Sequence, residues 1–130
     1  FIPVTLVIKS NGVFAVFEDN KIKIPEGKVK KLKDSSYVGK EVIMGIRPED
    51  VHDEEIFLHS VEESTIEAYV ELVELMGSET YLYLKAGSNN LTARVNPRST
   101  ARAGDTIKLA LDPNKLYFFD KTTQKTLLNK

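Results

Sequence analysis

The chain has 130 residues, a formal net charge of −1 and no cysteine. This length suits one ordinary domain or two very small modules, and 42% hydrophobic with 28% charged residues is typical of a globular protein. The charge balance gives no overall field for nucleic acid or acidic lipid, and no apolar run is long enough to span a membrane. The absence of cysteine excludes disulfide frameworks and thiol-based zinc sites, and is compatible with a reducing cytoplasm.

Runs rich in Val, Ile and Phe predict three strands near the start of the chain. Residues 1–8 and 13–17 flank a turn signal that ends at Gly12, which predicts a β-hairpin. The alternating run 21–24 predicts a third strand, and Pro25 ends it.

A lysine-rich run follows at 28–33, with Tyr37 close behind it. Such a run could form a nucleic-acid-binding stripe, since OB-like sheets bind single strands by stacking bases on aromatic side chains. It is also typical of a solvated edge strand that lysines protect from pairing with other chains. We favour the edge strand, so no nucleic-acid partner is expected.

The stretch 42–50 has the most distinctive pattern, because an apolar run ends in a glycine, an arginine, a proline and two acids. Residues 42–46 predict a buried strand that Pro48 ends, and a proline pushes the preceding Arg47 into an extended conformation. Arg47 beside Glu49 and Asp50 could pair across a subunit boundary, or form a salt bridge and turn within the module. The sequence leaves both interpretations open.

The acidic region 51–63, with a short apolar insert at 56–58, is predicted to be a connector that contains one short strand. His52 and His59 lie seven residues apart among acids, so a metal site would need neighbouring carboxylates in a fixed geometry. Exposed connectors often carry such residues without a ligand role. We therefore expect no metal site.

The region 64–77 permits two local interpretations. Ser64 and Glu67 could form a capping box and Gly77 a C-cap, which together predict a helix. A strand instead places residues 66, 68, 70 and 72 on one face, and needs a β-bulge before it continues through residues 73 and 75. Local propensity does not decide between them.

An internal repeat favours the strand. An offset of 65 residues places Gly39 on Gly104, residues 42–46 on 107–111, Pro48 on Pro113 and Gly12 on Gly77. We therefore expect two pseudo-repeats, 1–65 and 66–130, with a strand at 66–75 that pairs with 81–84 across Gly77-Ser78. Further strands are predicted at 91–95, 106–111 and 116–119.

About ten short strands with frequent turns predict an all-β fold with little helix. Five strands per half is the count of an OB-like barrel, so the halves form two barrels, tandem or intertwined, or one sandwich. No phosphate-binding loop occurs, since Gly39-Lys40 is followed by Glu41, and no serine lies in a nucleophile elbow. We expect no catalytic, cofactor-binding or metal-binding residues in this chain.

Three motifs resemble those of ATP-binding subunits of carbohydrate-import ABC transporters of the MalK, MsmK and UgpC type. Residues 45–50 resemble the family's "GIRPE" signature, and residues 70–80 its "VE.LG.ET" strand-turn-strand. Residues 103–105 and 116–120 resemble its closing "GD…HLFD" segment, with Tyr117 where His is frequent. The motifs occur in the family's order and cover nearly the whole chain.

This resemblance implies a C-terminal regulatory domain with an OB-like (TOBE) fold. Such a domain holds two ATPase subunits together as a homodimer and offers a docking surface for a regulatory protein. An upstream nucleotide-binding domain, absent from this chain, would bind ATP and Mg and contact the membrane subunits of the transporter. The complete protein would lie in the cytoplasm at the inner face of the membrane, without inserting into it. The chain opens at Phe1 without an initiator Met, so we expect it to be a piece of a longer protein.

The candidate interface or regulatory residues come from two of these motifs. They are Gly45, Arg47, Pro48, Glu49, Asp50, Gly77, Ser78 and Glu79. Two rival functions remain at this point: a module that senses a small ligand, either an oxyanion or a sugar, and an OB fold that binds single-stranded nucleic acid through the lysine run.

Overall fold

The described part of the chain forms ten strands in two antiparallel sheets. The computed structural model describes residues 1–9, 12–30, 39–123 and 125–126, without the side chains of 29 and 30. The first sheet contains β1 (Ile2–Lys9), β2 (Gly12–Phe17), β3 (Asn20–Lys23), β4 (Glu41–Gly45) and β10 (Tyr117–Phe119). The second contains β5 (Val51–His52), β6 (Thr65–Met76), β7 (Glu79–Ala86), β8 (Asn89–Val95) and β9 (Thr106–Leu111). The all-β prediction is confirmed.

The two sheets have the same internal order and exchange one strand each. The first runs β10-β4-β1-β2-β3 and the second β5-β9-β6-β7-β8. β5 follows β4 in the chain but pairs with β9, and β10 follows β9 but pairs with β4. Each exchanged strand comes after a 3-10 helix that begins at a proline, Pro48–Asp50 or Pro113–Lys115, and these helices are 65 residues apart. The arrangement is therefore intertwined rather than tandem.

One hydrophobic core joins both sheets. Its large fully buried side chains come from β1, β3, β4, β10 and the residue before β10 on one side, and from β7 and β9 on the other. The largest are Phe118, Ile2, Leu6, Ile22, Met44, Leu82, Leu84, Leu109, Leu111 and Leu116. Because β10 delivers Phe118 into this core, the exchanged strand contributes to packing as well as to the hydrogen-bond ladder.

The region 64–77 forms a strand with a bulge, and the helix alternative is wrong. Ile66, Ala68 and Val70 are buried, as the strand pattern predicts. The bulge lies between Val70 and Leu72, one step earlier than expected, so Val73 rather than Leu72 turns toward the core. Leu72 is 53% exposed. The prediction that Leu72 shares the buried face of Val70 is therefore wrong.

The connector 51–63 contains more helix than the sequence predicted. Its strand is Val51–His52, whereas the apolar insert lies in a short helix, α2 (Glu55–Ser60). Glu55 lies in the first turn of this helix, where a carboxylate interacts favourably with the helix dipole. The Phe57 ring stacks on His52 with 3.9 Å between ring centroids, so the insert packs beside the sheet instead of joining it.

The lysine-rich run begins as a helix, α1 (Glu26–Lys30), and not as an edge strand. Pro25 precedes this helix, and its carbonyl accepts a hydrogen bond from the Lys28 backbone N–H at 2.9 Å. The edge-strand prediction is wrong for residues 28–30. Residues 31–33 and Tyr37, the remainder of that prediction, lie outside the described residues. None of the helices in the described part of the chain has the length and apolar character needed to cross a bilayer.

Candidate interaction surface

Arg47 lies at the end of β4, where the sequence predicted it. Its backbone is extended, with φ −82° and ψ 149°, because Pro48 follows and starts a 3-10 helix. The Asp50 N–H donates to the Arg47 carbonyl at 2.9 Å and closes that helix. The side chain of Arg47 is exposed and stands over the Tyr117 ring, with Cζ 5.5 Å from the ring centroid.

Aromatic side chains surround this arginine in a cluster that we call the Arg47 corner, formed by Phe1, Arg47, Tyr117 and Phe119. Tyr117 and Phe119 stack with 6.5 Å between ring centroids, and Phe1 meets Phe119 edge-on at 5.7 Å. Gly45 makes room for them, since a Cβ there would lie 3.0 Å from the Phe1 ring. A pocket of about 250 Å³ opens between these residues.

The two acids that follow Arg47 do not pair with it. Ion pairs between described residues include none that involves Arg47, Glu49 or Asp50. The Asp50 carbonyl instead accepts from the Asp112 N–H at 3.0 Å, so this turn ties the first Pro-containing helix to the second. Residues 47–50 therefore form the predicted turn, but among the described residues Arg47 forms no salt bridge with Glu49 or Asp50.

The second group of predicted residues, Gly77, Ser78 and Glu79, lies at the turn of the β6–β7 hairpin. β9 pairs with β6 only along residues 65–69, whereas β7 pairs with it through to Met76. Among the described strands, none pairs with the other edge of β6 beyond the bulge. Beyond the bulge, β6 therefore has one unpaired backbone edge, while β7 stays paired with β8 as far as Thr80.

The outer face of this hairpin carries exposed apolar side chains among charged ones. Tyr69, Leu72 and Met76 are 48%, 53% and 54% exposed, and they lie opposite Lys85, Tyr83 and Glu79 of β7. Tyr81 and Tyr83 alternate with the buried Leu82 and Leu84, as predicted, and so share the outer face. Isolated exposed apolar residues are ordinary, but several of them on one face beside an unpaired strand edge are typical of an interface.

Carboxylates border these exposed apolar side chains. The Tyr83 hydroxyl donates to Glu74 Oε1 at 3.1 Å, and this bond raises the pKa of Tyr83 because it favours the protonated phenol. Glu79 Oε2 lies 3.6 Å from Arg94 Nε on β8. Both carboxylates retain free lone pairs, since a carboxylate accepts about four hydrogen bonds.

The structure also shows a polar clasp that no sequence motif indicated. Glu18 sits in the β2–β3 turn with a φ of 52°, and its carboxylate accepts from Ser88 Oγ at 2.6 Å and from Ser88 N at 3.1 Å. The Ser88 hydroxyl, followed by the Ser88 backbone, lowers the pKa of Glu18. Asn20 Oδ1 accepts from the Glu67 N–H at 3.3 Å in the same turn. The β2–β3 turn thus holds the first sheet against the second.

A groove of about 1080 Å³ lies beside this clasp. It is lined by Phe14 and Tyr69 and by charged residues of both signs, which are Glu18, Asp19, Lys21, Glu62, Glu63, Glu67, Lys85 and Lys108. Neither histidine lines this groove. His52 stacks on Phe57, and His59 Nδ1 is 3.7 Å from Glu62 at the groove's border. Within the described residues, no three His, Asp or Glu side chains are grouped to hold a metal ion.

Two family models match the chain along its length. The description "MalK OB fold domain" matches residues 1–51, and "TOBE domain" matches residues 44–119, which is more than half of the chain. The chain belongs to the TOBE domain family. The two matches overlap at residues 44–51, the segment that contains Arg47.

Curated relatives of this TOBE domain are named as ATP-binding proteins of sugar or oligosaccharide import or transport. The oligosaccharides import ATP-binding protein MsmX of Bacillus subtilis is 45% identical over 78% of this chain, and the multiple sugar-binding transport ATP-binding protein MsmK of Streptococcus mutans is 36% identical over 82%. The trehalose/maltose import ATP-binding protein MalK of Thermococcus litoralis is 35% identical over 93%. The chain spans 28%, 28% and 32% of their respective lengths.

Proposed function

We propose that this TOBE domain is the regulatory and dimerisation domain of the ATP-hydrolysing subunit of a sugar-import ABC transporter. In the complete protein it tethers two ATPase subunits, so that their nucleotide-binding domains open and close without separating. The similarity to sugar-import ATP-binding proteins over most of the chain supports this proposal. ATP and Mg bind the remainder of the subunit, which also contacts the transporter's membrane subunits at the cytoplasmic face of the membrane.

The unpaired edge and outer face of the β6–β7 hairpin are the observation that carries the tethering role. The hairpin combines an unpaired strand edge, which is a template for pairing with another chain, with exposed apolar side chains. Burying Leu72 and Met76 against a second copy would remove this apolar area from water, which favours association. The tyrosines of β7 supply the aromatic contacts that are enriched at such interfaces.

Sedimentation equilibrium of this chain at tens of micromolar tests the tethering role. We expect a dimer for the wild type and a monomer for Leu72→Glu, because the new carboxylate would have to be buried without a partner. Ile56→Glu is the matched control, since Ile56 is 73% exposed but lies on α2. A strict monomer for the wild type, or equal effects of the two variants, would contradict the tethering role.

A second candidate function, the sensing of a small ligand, is favoured by the groove. Exposed Tyr69 offers an aromatic face, and the mixture of lysines and carboxylates suits a polar ligand with both donors and acceptors. Calorimetric titration with sulfate, molybdate and sugars separates the two functions. Heat from one ligand that disappears in Tyr69→Ala would support sensing, whereas no heat across the panel would count against it.

The regulatory part of the proposal is docking of a regulatory protein on the surface that the dimer leaves exposed. The groove is lined also by Asp19, Glu62 and Lys108, which lie outside the β6–β7 hairpin, and it is open to solvent. We propose no catalytic step for this domain itself.

A further inference from the structure

Two exposed patches of matching chemistry lie on connected elements of the domain. One is the Arg47 corner, and the other is the hairpin tip, defined as Met76 and Glu79. The 3-10 helix that follows Arg47 contacts β8, and β8 pairs with β7, which begins at Glu79. A self-complementary surface of this kind is what a two-fold symmetric dimer requires.

The Arg47 corner provides hydrogen-bond donors and an adjoining pocket. Arg47 forms no ion pair with the described residues, and its guanidinium is held over Tyr117 by its attraction to the ring. A guanidinium has five N–H donors in a planar fork that matches a carboxylate. The adjoining pocket of about 250 Å³ is lined mainly by aromatic rings and has room for one apolar side chain.

The hairpin tip has the complementary groups. Met76 is 54% exposed and lies directly opposite Glu79 in the β6–β7 register, so both side chains point to the outer face. A methionine sulfur packs favourably against aromatic rings, and its unbranched chain adapts to a small pocket. The carboxylate of Glu79 is only loosely held by Arg94, at 3.6 Å.

We infer that the hairpin tip of each copy inserts into the Arg47 corner of the other, with Met76 in the aromatic pocket and Glu79 paired with Arg47. This inference rests on the proposed dimerisation and names the residues that achieve it. A second copy is the occupant because one chain carries both halves of the contact, so the symmetric dimer forms it twice. It also gives Arg47 the partner that Glu49 and Asp50 do not supply.

Engineered cysteines test the contact, since the chain has none of its own. Met76→Cys chains are mixed with Tyr117→Cys chains under mild oxidation and analysed on non-reducing gels. We expect a disulfide-linked heterodimer, because only close approach of the two copies brings those positions within bonding distance. Mixing Met76→Cys with Ile56→Cys is the control and should give no heterodimer above background.

A double-mutant cycle tests the ion pair. Arg47→Ala and Glu79→Gln should each raise the dimer dissociation constant about tenfold, and the double variant no more than either alone, with unchanged far-UV circular dichroism spectra. Arg94→Gln removes only the contact within the chain and should leave the dimer unchanged. If the wild type dimerises but the cross-link is absent or the two effects add, the inference is wrong while the proposed function stands. If the wild type does not dimerise, both fail.

Discussion

At the scale of single residues, the clasp between Glu18 and Ser88 depends on a glycine. Gly87 has a φ of 63°, and a Cβ at this position would collide with the Glu18 carboxylate. Gly77 has a similar φ of 71° but open space around it. Comparing alanine variants at these two glycines therefore separates the stability cost of backbone strain from the cost of losing the clasp.

Gly87→Ala should destabilise the domain more than Gly77→Ala. Both variants carry the strain of a left-handed alanine, roughly 1–2 kcal/mol, but only the first displaces the carboxylate that holds Ser88. Urea unfolding of the two variants measures the difference. In a Glu18→Ala background the two losses should become equal, whereas equal losses in the wild-type background would show that the clasp contributes nothing.

The sequence predicted some residues of the site and missed others for definite reasons. The extended conformation of Arg47 follows from Pro48, and the outward direction of Tyr81 and Tyr83 follows from strand alternation, so both were predictable. The aromatic partners of Arg47 were not, because Phe1 and Phe119 come from opposite ends of the described chain. Likewise, the clasp joins residues 70 positions apart, and no local pattern encodes that contact.

At the scale of elements, local patterns predicted strands better than short helices. The capping pattern of 64–77 favoured a helix, and the internal repeat favoured a strand. The strand is correct, because β6 lies between β7 and β9 in its sheet just as β1 lies between β2 and β4 in the other. The insert 56–58 lies in α2, which has only 6 residues and is too short for a helical hydrophobic period to be visible in the sequence. The exact position of the bulge depends on pairing with β7, which the sequence does not specify.

Phe118→Ala tests whether the exchanged strand β10 is integral to the fold. Phe118 is 1% exposed in the shared core, so its loss should cost about 3–5 kcal/mol of unfolding free energy. Its neighbour Tyr117 is 39% exposed, and Tyr117→Ala should cost much less. Denaturant unfolding compares the two, and similar costs would contradict a core role for β10.

At the scale of the whole molecule, the exchange of β5 and β10 makes one unit of the two sheets. Neither half of the chain can complete its own sheet, because the fifth strand of each comes from the other. The single core and the clasp at the β2–β3 turn reinforce this connection. The two sheets therefore unfold together, and the unpaired edge of β6 belongs to this single unit.

We propose that this domain holds two ATPase subunits together when their nucleotide-binding domains are apart. The direct measurement is the sedimentation of the complete ATP-binding subunit with and without ATP, for the wild type and for Leu72→Glu. We predict a wild-type dimer under both conditions, and a variant that dissociates to monomers when ATP is removed. A Leu72→Glu subunit that stays dimeric without ATP, or a wild type that dissociates, would contradict the claim.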